Sequence, residues 1–265
     1  MAGIDRYGSH AATLDAHTHN LMGVFRTGNS YICPNREVED AAPVANTIFG
    51  AVSILARKAT FNGIRINVIT AVADYITGTA SFTNGSTAVV GTNTVWTSDH
   101  VGMKIKLDAD GVFYQIASVT DNTHLTLFTA FEGTTGSGAY TIRCFARLGI
   151  YKNGVNVYPG DLALDAGEVA VDTTGLKTAS ISKQLVKGIY FLAYVCAGAP
   201  TVTNHKTYGM PPTFNPLGIL HSGGITDYYN GFRKAQAYGA LPGSFPSAGG
   251  NAACPLIILV PASLD

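Results

Sequence analysis

A chain of 265 residues is long enough to bury a sizeable core, in one large domain or two modest ones. Charged side chains make up only 13% of it, about half the usual share, and 17 basic groups balance 17 acidic ones. No net field therefore draws the chain to nucleic acid or to an anionic bilayer, and neither partner is expected.

Residues 1–20 show no basic leader followed by an apolar core, so no secretory signal is expected. Segment 1–43 has patchy apolar content punctuated by Gly3, Gly8, Gly23 and Gly28. It reads as an extended N-terminal arm that attaches to neighbouring proteins or exchanges a strand. The one short helix is expected over 35–42, with Asn35 as its cap.

From Val44 the chain alternates like β-structure, with turn residues about every ten positions. Strands are expected over 46–55 and 61–73. In the second, Ile64, Ile66 and Val68 alternate with Arg65 and Asn67, the period of a half-buried strand. The stretch 79–140 reads as a self-contained module of five short strands, a small barrel or sandwich. It opens on an Asn84-Gly85 hairpin turn and has Trp96, the only tryptophan, as a lid on its core. Further strands are expected over 147–151, 161–165, 167–171, 177–182 and 188–196. Residues 197–253 form a long irregular stretch rich in Gly, Pro and aromatics, a feature that normally serves a function or packs on a partner. The apolar run 254–260 reads as a central strand buried on both faces. Its core, 256–260, is far below the roughly 18 residues of a membrane span, so no membrane insertion is expected. The fold class is all-β.

Two stretches carry a resemblance. TASFTNGSTAVVGTNTVWTSDHVGMKIKLDADGVFYQIASVTDNTHLTLFTAFEGTTGSGAYTI resembles a small β module of tail and appendage proteins of tailed bacteriophages. Its marks are the Asn-Gly hairpin, a Trp-Thr pair, a Gly-x-x-Ile-x-Leu-Asp turn, a Tyr-x-Ile-x-Ser-Val strand and a Leu-Thr-Leu strand. ANTIFGAVSILARKATFNGIRINVITA and ARLGIYKNGVNVYPGDLALDAGEVAVDTTGLKTASISKQLVKGIYFLAYVCAGAP resemble consecutive halves of one phage fibre-type sandwich. The resemblance implies a discontinuous antiparallel β-sandwich, jelly-roll-like, over 44–76 and 142–265, with the small β module of 77–141 inserted in one of its loops. It implies a non-enzymatic virion component of tail, fibre or baseplate type, assembled in the host cytoplasm as a homo-oligomer, a trimer. The arm would hold neighbouring virion proteins, and a host-surface glycan is a further expected contact. A capsid decoration or head-fibre protein has the same sequence character; a glycan- or receptor-binding module and a capsule depolymerase are the other classes.

Few residues suggest chemistry, and no cofactor is expected. His17 and His19 lie two apart, so on an extended strand both imidazoles face one way and a trimer would gather three pairs around a metal. The plainer reading is an exposed polar segment of the arm. Asp108 and Asp110 before Gly111 suggest a calcium loop but lack its distal Glu, so a hairpin turn is expected. A carboxylate pair for glycan hydrolysis would come from Asp161, Asp165, Glu168 and Asp172, although turns and caps account for all four. No Gly-x-Ser-x-Gly elbow, His-Glu-x-x-His or phosphate-binding Gly-Lys-Thr loop is present. The aromatics Tyr208, Phe214, Tyr228, Tyr229, Phe232, Tyr238 and Phe245 crowd the irregular stretch, with Arg233 and Lys234 between them. Such rings cover a core, form a subunit interface or stack on sugars. Cys33, Cys144, Cys196 and Cys254 are too far apart for a zinc knuckle and read as small buried hydrophobes without a metal or redox role.

Overall fold

The computed structural model describes residues 38–55, 57–205, 230–251 and 253–264. The strands are β1 Val38–Ala41, β2 Thr47–Leu55, β3 Ala59–Thr70, β4 Thr79–Phe82, β5 Ala88–Thr92, β6 Lys104–Leu107, β7 Tyr114–Asp121, β8 His124–Leu127 and β9 Gly136–Gly138. They continue as β10 Tyr140–Arg143, β11 Phe145–Asn153, β12 Pro159–Ala170, β13 Gly175–Leu185, β14 Gly188–Cys196, β15 Thr201–His205, β16 Gly231–Ala235, β17 Gly249–Asn251 and β18 Ile258–Leu264. The only helical turn among the described residues is the short 3-10 segment Ser98–His100. The fold is all-β and antiparallel.

Three sheets account for the strands. One runs β1-β15-β3-β13 with β18 also on β3, the second β12-β11-β14-β2-β16-β17, and the third β10-β6-β7-β8-β5-β4-β9. The third curls almost into a barrel. Its two end strands, β9 and β10, are separated in the chain by Ala139 alone, so the sheet's first and last members lie side by side in sequence. Gly85, at φ +78°, makes the turn between β4 and β5 that the Asn-Gly pair announces.

The chain leaves and re-enters the first two sheets at one place. Tyr75 and Ile142 exchange both backbone hydrogen bonds at 2.9 Å, so the segment between them is a closed excursion. Its core holds Phe82, Phe131, Tyr114, Ile105, Ile116, Leu125 and Leu127, all buried, with the Phe131 ring 5.0 Å from Phe82 and 5.2 Å from Tyr114.

In β3 the inward set is the one the alternation marks: Ile64, Ile66 and Val68 are all within 1% of full burial. Strands β2 and β14 are different, being buried nearly throughout. The register explains this. Gly149 and Tyr151 of β11 lie opposite Ala193 and Phe191 of β14, which lie opposite Gly50 and Val52 of β2. These residues share one face, and the segment after β16 is laid across it. A Cβ at Gly149 would stand 2.7 Å from the Leu164 carbonyl oxygen and closer still to Leu241, and one at Gly50 would stand 3.0 Å from the Phe245 ring. The small residues make the shallow trough in which that segment lies.

Several expectations change: the module begun at 79 holds seven strands, β4 to β10, where five are expected, and the strands expected over 161–165 and 167–171 are one, β12. Where a helix is expected over 35–42, residues Val38–Ala41 form a strand paired with β15, and the Asn204 amide donates to the Ala41 carbonyl at 2.8 Å. Ladder bonds to another strand outweigh a local capping preference. The irregular stretch contains β15, β16 and β17, whose Gly-rich and Thr-rich runs give little periodicity. The run 254–260 is buried at every position but Ile258, yet it is not one central strand: Pro255 bridges Asn204 of β15, and β18 begins only at Ile258, pairs among the described residues with β3 alone and carries Pro261 in a register shift. The arm 1–43 lies outside the described residues except for 38–43.

Candidate functional site

The densest group of charge sits where the barrel meets the sandwich. Arg147 of β11 lies directly opposite Glu168 of β12, and its Nε donates to both carboxylate oxygens of Asp165 at 2.9 Å. Asp165 also accepts from the Gly167 and Leu241 backbone N–H groups at 3.0 and 3.2 Å. Glu168 accepts from Lys104 of the barrel at 2.5 Å, from the Tyr238 hydroxyl at 2.8 Å and from Arg147 at 3.4 Å. Burial and the adjacent Glu168 carboxylate push the Tyr238 phenol well above its ordinary range, so it stays a proton donor. A second knot lies beside it. Arg143, at the exit of the barrel, forks onto Asp74, at its entrance, at 2.6 to 3.2 Å and reaches Asp172 at 3.1 Å. Its hydrogen bonds to Asp74 raise the guanidinium pKa further.

Neutral contacts complete the seam. Gln115 donates to the Tyr238 carbonyl at 2.7 Å, the Phe113 ring meets Phe145 edge-on at 5.3 Å, and Lys104 lies 5.7 Å over Phe145. These links fix the barrel's orientation on the sandwich.

The four carboxylates considered for hydrolysis are distributed as follows. Asp165, Glu168 and Asp172 hold cations of this chain, and Asp161 accepts from Ser244 at 2.9 Å. Each has a partner, and their geometry is that of cross-strand and loop ties. Asp108 and Asp110 lie in a tight turn in which the Asp110 and Gly111 N–H groups both donate to the Leu107 carbonyl at 3.0 Å. Among the described residues no group of three or more His, Cys, Asp or Glu is arranged to hold a metal ion. His17 and His19 lie outside the described residues.

Of the aromatic set, Tyr208, Phe214, Tyr228 and Tyr229 also lie outside them. Phe232 is half-buried on β16 with Tyr158 4.6 Å and Phe191 5.8 Å from its ring. Tyr238 is buried and tied to Glu168, and Phe245 is buried edge-on to Tyr151 at 5.1 Å. These three rings cover the outer face of the second sheet. The neighbouring Arg233 and Lys234 are exposed.

The residues that sequence reasoning missed are the cations of the seam, Lys104, Arg143 and Arg147, with Asp74. The available signal was a lone cation inside an otherwise apolar strand, as in Ala146-Arg147-Leu148, which needs a partner when its strand is covered.

The turn at Thr97–His100 gives a pH-sensitive point. The Thr97 N–H lies 3.1 Å from His100 Nδ1, and the ring packs edge-on against Tyr75 at 4.8 Å. Burial is the main cause that lowers its pKa below 6.5. Between that lowered value and 6.5 the unfolded chain binds a proton that the folded chain does not, so stability is full above pH 6.5 and falls as pH drops. The expected result is a Tm that declines from pH 7.5 to 5.5, with a smaller decline in His100→Gln; equal declines would remove His100 from the account.

The fold defines a class, an antiparallel all-β protein in which a barrel-like sheet is tied to a two-sheet sandwich. No protein-family model, curated protein or solved structure matches the chain.

Proposed function

We propose that the chain is a structural component of a tailed-phage virion, of tail, fibre or baseplate type, that acts as a homotrimer rather than as an enzyme. The observation that carries this reading is the allocation of its charge. Three of the four candidate carboxylates are paired with cations, two of these knots joining the barrel to the sandwich or its two ends to each other, which makes a stiff object rather than an open cleft. The likeness of both sheet regions to phage appendage modules supports the same reading. So does a weakly charged surface with exposed Phe128, Val155 and Ile76, which favours coverage by other subunits. In this role the arm docks to neighbouring virion proteins, and host-surface glycan is a further contact.

Light scattering on the purified 27.7 kDa chain should return three times that mass, and a monomer at micromolar concentration would count against assembly. Location is tested by electron cryo-microscopy of intact particles. Density for the barrel-plus-sandwich on the tail or its fibres is expected; density on the capsid lattice would make the chain a decoration or head-fibre protein instead.

A further inference from the structure

Cys144 and Cys196 are 52 positions apart in sequence, yet their sulfur atoms lie 3.4 Å from each other. Cys144 is the link between β10, the last strand of the barrel, and β11 of the sandwich; Cys196 closes β14. Both are buried free thiols. The β11–β14 register places Ala146 opposite Cys196, so Cys144 falls opposite Gly198 and the two thiols meet on the diagonal. Gly198 makes that meeting possible. A Cβ there would stand 2.9 Å from the Cys144 sulfur, and the Gly198 N–H instead donates to that sulfur at 3.2 Å.

We propose that Cys144 and Cys196 are a reversible dithiol–disulfide pair that closes on exposure to peroxide and staples the exit of the barrel to β14. Closing requires the sulfurs to approach from 3.4 Å to about 2.0 Å, a shift that side-chain rotation and the glycine-lined strand end supply. Either sulfur can donate across this 3.4 Å contact, which raises the Cys144 pKa and lowers that of Cys196. Cys196 is therefore the attacking thiolate. It attacks one peroxide oxygen, the O–O bond breaks, and the departing hydroxide takes up the proton that Cys196 released, forming water and a sulfenic acid on Cys196. The Cys144 sulfur then attacks the Cys196 sulfur; the S–O bond breaks and a second water leaves with the Cys144 proton. Two thiols are oxidised and one hydrogen peroxide is reduced.

The pair does not depend on the virion reading, and microscopy of particles judges that reading separately. Native full-length protein and a C33S/C254S variant are treated with hydrogen peroxide, quenched, unfolded with iodoacetamide and digested without reduction. In both, one cross-linked peptide should join Cys144 to Cys196, dithiothreitol should release it, and oxidised protein should melt at least about 5 °C higher. Should the double variant fail to fold, the peptide map of the natural sequence decides alone. Recovery of Cys144 and Cys196 as alkylated thiols, pairing of either with Cys33 or Cys254, or a cross-link formed only after unfolding would overturn the pair. A native cross-link without a rise in Tm would overturn the staple.

Discussion

Trp96→Ala should destabilise the chain by about 3–5 kcal/mol, the largest loss expected from any single side chain of the barrel. The indole is 2% exposed and stands edge-on to Tyr140 at 5.7 Å. Its Nε1–H donates to the Tyr140 hydroxyl at 2.9 Å, which in turn donates to the Thr77 carbonyl at 2.7 Å. Burial raises the Tyr140 phenol well above its ordinary pKa, so it remains a donor at any pH the protein survives. Removing the indole empties a large volume in a small core and withdraws one donor from a chain of hydrogen bonds that runs to the barrel's entrance. Trp96→Phe keeps much of the volume and loses only the donor, for about 1–2 kcal/mol. Urea unfolding followed by circular dichroism measures both, since the only tryptophan is gone from each variant. A loss below about 1 kcal/mol in Trp96→Ala would mean that the ring is not a lid on this core.

Arg147→Ala should destabilise by about 2–3 kcal/mol, less than the full loss of a buried pair because the side chains of Arg147 and Asp165 keep 22% and 23% of their exposure. The substitution leaves Asp165 without its cation and weakens the hold on Glu168, both partly withdrawn from water. Asp165→Asn should be milder, at about 1–2 kcal/mol, because it leaves no unpaired charge and Arg147 keeps Glu168, although its single amide oxygen replaces only one of the two carboxylate oxygens that accept from the Gly167 and Leu241 N–H groups. The order of the two losses is the test. If Asp165→Asn were the more damaging, the carboxylate would matter for its charge elsewhere, and the cross-strand pair would not be what holds it.

Local pattern was informative where one face of a strand is buried and the other is wet. The alternation over Ile64, Arg65, Ile66, Asn67 and Val68 predicted the inward set of β3, and the Asn84-Gly85 pair predicted a turn with a positive φ. Pattern was uninformative where strands are short and Gly-rich. Strand β9, Gly136–Gly138, has no apolar residue to mark it and exists because β4 offers a ladder edge. The same holds for β17 beside β16. The aromatic stretch was ambiguous among core cover, interface and sugar contact, since a ring's chemistry is alike in all three. Only the trough over Gly50, Gly149 and Tyr151 assigns Phe245 an inward place, and only the tie to Glu168 at the seam does so for Tyr238.

Composition and period, taken alone, determined that this chain is built of strands joined by turns, because alternation and turn chemistry are local properties that each stretch carries by itself. Which strands share a sheet, how the barrel sits on the sandwich, and which distant groups meet were decided only by tertiary structure. Arg147 with Asp165, Lys104 with Glu168, and Cys144 with Cys196 are pairs made by register and by the closing of the excursion at Tyr75 and Ile142. The physical reason is range: a strand's preference is written within a few residues, while an ion pair or a thiol contact depends on where two separate strands come to rest.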